Sequence, residues 1–251
     1  MEFRILSGAS GMDKDRMLDK IRRFASGLRI AGRRTAVEAI DVDAKLCELV
    51  PRDLYRASTE RPRILSIVEH LPQDQVRSFW RRAFEASCQE VQRRKPDLAI
   101  VVLTLSYYRK STYEFYCPAD LSRLSEMRRA GSLPPTGGIL TLIDDVFDAY
   151  WRLSRRGQVF DIQNLVSCEL GDSPGNQSDR YKRALALVLQ SLIRILEWRE
   201  SEIQHASSVG SLLDWPFLAV GVKHPTETVV RHLLGNAASV FELDRSLFAY
   251  L

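Results

Sequence analysis

Residues 97–105 read Asp-Leu-Ala-Ile-Val-Val-Leu-Thr-Leu, a near-continuous apolar run with no alternation of polar and apolar side chains. A strand with that pattern must be covered on both faces, which is the situation of a strand in a parallel sheet between layers of helix. The residues before it supply a helix. Val76, Phe79, Trp80, Ala83, Phe84, Cys88 and Val91 recur at three- and four-residue spacing and predict an amphipathic helix over 73–94. Lys95-Pro96 ends it, because proline lacks the amide hydrogen and disfavours helix in the residue before it.

The same alternation runs through the chain. Phe3-Arg4-Ile5-Leu6-Ser7 reads as a short buried strand that enters a Gly8-Ala9-Ser10-Gly11 turn. From Asp13 the period becomes helical, with Met17, Leu18, Ile21, Phe24, Ala25 and Leu28, until Gly32 and Arg33-Arg34. Residues 35–40 read as a second strand closed by Asp41, and residues 64–68 are ambiguous between strand and packed loop. The turn-rich GSLPPTGG at 131–138 precedes a strand at 139–143 that ends in Asp144-Asp145. An exposed loop is expected at 171–176, then a long helix carrying Leu185, Val188, Leu189, Leu192, Ile195, Leu196 and Ile203. A strand at 217–222, a short helix at 226–234 and a last strand at 239–243 complete the reading. The expected fold is one α/β domain over 1–251, a three-layer sandwich on a mostly parallel sheet, with an insertion at about 106–138.

Composition narrows the function classes. Lys plus Arg number 36 against 32 Asp plus Glu, a balance that admits anionic ligands but lacks the concentrated basic face typical of nucleic-acid binding. Cys47, Cys88, Cys117 and Cys168 form no CxxC pair, which argues against a zinc site and a disulfide framework and suits a reducing cytoplasm. No apolar run reaches the roughly 18 residues of a membrane span, so no membrane partner is expected. His70, His205, His224 and His232 show no metal-binding spacing, and no GxSxG elbow is present.

Parallel strands bring their carboxyl ends to one edge, where open α/β sheets bind ligands. That rule predicts a common rim for residues 8–14, Asp41, residues 106–109 and Asp144-Asp145. At this rim, residues 8–15 (GASGMDKD) resemble the phosphate-binding loop of the P-loop NTPases, GxxxxGK[ST], in position and context. Gly8 and Lys14 match, and Ser10 and Gly11 suit a flexible loop; Asp13 stands where a second glycine belongs, and Asp15 where the family has Ser or Thr. As a plain turn, the same residues still aim a helix N-terminus at the rim, a ready anion site.

The apolar strand closed by Asp144-Asp145 resembles the second motif of that family. Asp41-Val42-Asp43 resembles the DxD that some small-molecule P-loop kinases place after their second strand. The resemblance implies ATP or GTP with magnesium at residues 8–14. Lys14 would meet the β and γ oxygens, Asp144 or Asp15 would hold the metal, and Asp144 or Asp145 would orient the nucleophile. Asp41 and Asp43 would meet the acceptor, although Asp43 equally reads as a helix cap, as do Asp144 and Asp145. Arg109, Lys110, Arg152, Arg155 and Arg156 are the candidate cations for the transferred group. Tyr107, Tyr108, Tyr113, Phe115 and Tyr116 could stack a base or simply pack.

The expected activity is phosphoryl transfer to a small molecule or slow NTP hydrolysis. Two alternatives stand beside it. One is a non-catalytic sensor or assembly module with a protein partner. The other is a nucleoside or NAD glycosyl hydrolase or transferase resembling the Rossmann-like deoxyribosyltransferase group, with Glu202 attacking the sugar carbon.

Overall fold

The computed structural model describes residues 2–9, 14–26, 29–30, 33–34, 36–54, 64–109, 111–155 and 177–221. Strand β1 (Glu2–Ser7) leads to helix α1 (Lys14–Ser26), a two-residue pairing of β2 (Arg29–Ile30) with β3 (Arg33–Arg34), and β4 (Val37–Asp41). Helices α2 (Val42–Leu49), α3 (Ile64–His70) and α4 (Gln73–Arg94) come next, followed by β5 (Leu98–Leu103). The hairpin β6 (Tyr107–Arg109) and β7 (Glu114–Tyr116) and helix α5 (Leu121–Arg129) occupy the expected insertion. Then come β8 (Gly138–Ile143), α6 (Val146–Arg155), α7 (Gln177–Leu213) and β9 (Phe217–Gly221). The expected loop at 171–176, helix at 226–234 and strand at 239–243 lie outside the described residues.

Five strands form the main sheet in the order β4-β5-β1-β8-β9, every neighbouring pair parallel. Numbered by sequence among themselves, they run 2-3-1-4-5, with helices on both sides of the sheet: a three-layer α/β sandwich. All six residues of β5 are buried, as an uninterrupted apolar strand requires. Phe3, Ile5, Ala99, Val101 and Leu103 belong to one cluster with Val42 and Leu46 of α2 and Trp80, Ala83 and Phe84 of α4. Leu6, Ile100 and Val102 alternate with them along the strands and are equally buried, so the opposite face is covered too.

The helix at 73–94 has the predicted bounds, closed by Lys95 in the left-handed conformation at φ 49°. Residues 64–68 differ from the expectation: they open a helix. Ile67, Val68 and Leu71 are buried there at i, i+1 and i+4, a helical spacing that a five-residue window is too short to display. No described helix is long and apolar enough to cross a membrane.

Candidate functional site

The parallel register sets the carboxyl ends of β4, β5, β1 and β8 side by side, and a buried polar cluster sits there. Ser7, the last residue of β1, shares a 2.7 Å hydroxyl contact with Thr141 of β8. Gly8 and Ala9 follow, and α1 starts at Lys14, so the middle strand of the sheet is succeeded by a helix whose first residue lies at this edge. Ser10, Gly11 and Asp13 lie outside the described residues, as does the side chain of Asp15.

Lys14 reaches back over the strand ends. Its Nζ donates to the carbonyls of Gly8 and Leu103, each at 3.1 Å, and to Thr104 Oγ1 at 2.6 Å. It lies 3.5 Å from Asp43 Oδ2. Thr104 Oγ1 in turn donates to Asp43 Oδ2 at 2.6 Å, and the Tyr107 hydroxyl donates to Asp43 Oδ1 at 2.7 Å. Lys14 and Asp43 therefore share one pocket with two hydroxyls, their side chains only 13% and 14% exposed. Burial and the neighbouring Asp43 carboxylate push the Tyr107 phenol well above its ordinary range, so it stays a donor.

The two acids of the DxD divide their labour. Asp41, not Asp43, caps α2, accepting from the amide of Ala44 at 3.0 Å. Asp43, inside the first turn, is thereby left to face Lys14.

Beneath this group the far half of α7 grips the turn after β5. Glu202 accepts from the amides of Leu105 at 3.0 Å and Ser106 at 2.6 Å. Trp198 Nε1 donates to the Ser106 carbonyl at 2.6 Å, and the Ser106 and Ser201 hydroxyls are 2.8 Å apart. Burial raises the Glu202 carboxyl to about 7, against the lowering pull of Lys14 and the two amides. Both its oxygens accept from backbone amides and the residue is buried, so in this structure Glu202 holds the turn after β5 and does not face the open rim.

The remaining predicted residues are engaged elsewhere. Asp144 was expected to hold metal and Arg152 to meet the transferred group; they pair with each other instead, the Asp144 side chain being fully buried. Asp144 Oδ1 also accepts from the Asp145 amide at 2.8 Å, and Asp145 caps α6 through the amides of Phe147 and Asp148. Arg109 turns away from the rim, donating to the carbonyls of Val68 and Leu71 at the end of α3, with its guanidinium over the Tyr116 ring. Lys110 and Arg156, and the side chain of Arg155, fall outside the described residues. Tyr108 and Phe115 pack on Trp198 as core rather than as an open base-stacking platform. Burial lifts Cys47 and Cys88 to about 12 and Cys117 to about 11, so these thiols are not poised nucleophiles.

Sequence reasoning missed Thr104 and the Tyr107 hydroxyl. Thr104 had a visible signal, as the one polar residue in the apolar stretch 98–105. Tyr107 had none, since an aromatic beside a strand end reads as packing.

No protein-family pattern matches the chain, and no curated protein sequence does. Among solved structures, an uncharacterized protein from Eubacterium ventriosum ATCC 27560 is similar at a TM-score of 0.36 and 10% identity, over 92% of this chain and 97% of its own. A likeness that slight carries neither fold nor chemistry across to this chain.

Proposed function

We propose that this chain binds ATP or GTP at the turn between β1 and α1 and transfers the terminal phosphoryl group slowly, to a small hydroxyl-bearing molecule or to water. The observation that carries the reading is the placement of Lys14. Its ammonium is held over the carboxyl ends of two central strands by two carbonyls, a threonine hydroxyl and a carboxylate. Each of these is a weaker partner for an ammonium than a triphosphate, which would draw the amine toward its β and γ oxygens. The helix N-terminus beside it adds main-chain donors and a favourable dipole for the same anion.

The strand order supports the reading. It departs from the dinucleotide-binding order 3-2-1-4-5-6 and from the flavodoxin order 2-1-3-4-5. It sets the loop-bearing strand β1 between the third and fourth strands, in the middle of the sheet, so the Lys14 turn opens between neighbours on both sides.

Asp43 is the carboxylate that fits a magnesium role. Magnesium takes one or two carboxylates plus phosphate oxygens rather than a full protein cage, and no group of three or more His, Cys, Asp or Glu among the described residues makes such a cage. Held by Asp43, the ion would supply positive charge against the phosphate oxygens. Lys14 would stabilise the diphosphate as the bond from the γ-phosphorus to the β–γ bridging oxygen breaks and the acceptor oxygen bonds to the γ-phosphorus, the acceptor's hydroxyl proton passing to solvent. Thr104 and Tyr107 fix the Asp43 carboxylate from both sides, a pre-set geometry that costs no reorganisation during transfer.

Isothermal titration of the full chain with ATP and magnesium tests this, with Lys14→Ala beside it. Saturable binding in the wild type, weakened about a hundredfold or more in the variant, is expected from losing a charge-assisted phosphate contact. A wild type that takes up no nucleotide overturns the proposal and leaves the non-catalytic module.

A further inference from the structure

Helix α7 is longer than the layer it packs on. Its 37 residues extend about 55 Å, whereas the five- and six-residue strands beside it span about 20 Å. The half nearest β9 is anchored, burying Trp198, Glu202, Ala206, Val209 and Leu213. The other half buries only Ala184, Ser191 and Ile195, and presents an apolar row to solvent. Tyr181 is 66% exposed, Leu185 47%, Leu189 50%, Ile193 53% and Leu196 39%. Steps of four, four, four and three residues keep this row on one face of the helix.

We propose that this row is where a second copy of the chain docks, α7 against α7, antiparallel and centred on Leu189. Antiparallel pairing about Leu189 sets Leu185 against Ile193 and Tyr181 beside Leu196, so the stripe is complementary to itself, as a two-fold interface requires. Charge selects the direction. Arg180, Lys182 and Arg183 outweigh Asp179 at the start of the row, while at its far end Glu197 and Glu200 offset Arg194 and Arg199. A parallel pair would set the two basic starts together; the antiparallel pair brings Lys182 to Glu197 across the axis. Arg194, ion-paired with Glu197 at 2.6 Å, also lies over the exposed ring of Tyr113, which extends the apolar margin onto the β6–β7 hairpin.

Sedimentation of the full chain over a wide concentration range reads the association directly. A monomer–dimer equilibrium is expected. Leu189→Lys should weaken it by about tenfold or more, because it sets two ammonium groups at the axis in place of two leucines. Leu189 is half exposed, so circular dichroism of that variant should match the wild type. Lys182→Glu should weaken the dimer, and adding Glu197→Lys should restore it, a recovery that a merely sticky surface would not give. A monomer at every concentration overturns the proposal, as does a dimer indifferent to Leu189→Lys or a charge swap that restores nothing.

Discussion

Two strands of the sheet end in an acidic pair that leads into a helix, and the structure treats the two ends differently. At β4 the first acid, Asp41, caps α2 and the second, Asp43, turns into a pocket with Lys14, Thr104 and Tyr107. At β8 the second acid, Asp145, caps α6, and the first, Asp144, is sealed against Arg152. One cap is needed in each case, because a helix opens with unsatisfied amides. The acid left over is decided by what stands opposite it. Asp43 meets a lysine that a nucleotide could recruit, whereas Asp144 meets an arginine from its own following helix, two turns on. Sequence pattern alone makes the β8 end look the better metal site; the partners leave the proposed ion the β4 end instead.

The largest expected effect breaks the β8 pair. Asp144→Asn leaves the Arg152 guanidinium without its buried counter-charge, and removing one partner of a buried pair costs on the order of 3–5 kcal/mol. Arg152 is 27% exposed and can turn partly to water, so about 3 kcal/mol is the expected loss, read by urea unfolding. Asp43→Asn should cost less, about 1–2 kcal/mol: Lys14 loses its counter-charge but keeps the Gly8 and Leu103 carbonyls and the Thr104 hydroxyl, while the magnesium-dependent part of nucleotide affinity should disappear. If the two variants exchange these phenotypes, the assignment of one end to structure and the other to chemistry is wrong.

A second effect lies between the two ends, at Glu202. Its carboxyl titrates near 7 in the fold, while in the unfolded chain it titrates near the ordinary glutamate value of about 4.3. Between those values the folded state holds a proton that the unfolded state has released. Glu202 therefore stabilises most below the unfolded value, and its contribution declines as pH rises toward 7. Thermal unfolding of the wild type beside Glu202→Gln should show the wild type losing ground as pH goes from 4.5 to 7, with no further divergence above. A flat profile over that range would mean that Lys14 and the two amides hold the carboxylate charged throughout.

Much of the fold is legible in the residues. The buried run at 97–105 demands two covering layers, and the period of 73–94 sets a helix whose stop signal, Lys95-Pro96, is local chemistry. The site is less legible because it is built across long separations: Lys14 meets Thr104 and Asp43, and Glu202 meets residues 105 and 106. Those meetings follow from strand order, and periodicity fixes which segments are strands without fixing who neighbours whom. Arg109 shows the cost. As a cation just past a strand end it reads as a ligand for phosphate, yet the hairpin that begins at Tyr107 carries it to the end of α3, where free carbonyls attract it.

The smallest expected effect sharpens the β4 end. Tyr107→Phe deletes one hydroxyl, and the aromatic body stays packed edge-on against Tyr116 at 6.0 Å. Asp43 then loses the donor on Oδ1 but keeps Thr104 and Lys14 on Oδ2. A hydrogen bond to a charged acceptor contributes about 1.5–3 kcal/mol, and here the surviving partners and the part-exposed pocket favour about 1 kcal/mol. The informative quantity is the split between stability and ligand. If Tyr107 only fills space, unfolding and nucleotide affinity both stay at wild-type values. If it orients Asp43, magnesium-dependent affinity should fall several-fold while magnesium-free binding, which rests on Lys14, is unchanged. A hydroxyl that matters only when the metal is present would mark the β4 carboxylate as the working acid of this rim, because the β8 carboxylate, closed on its own arginine, does not touch Tyr107.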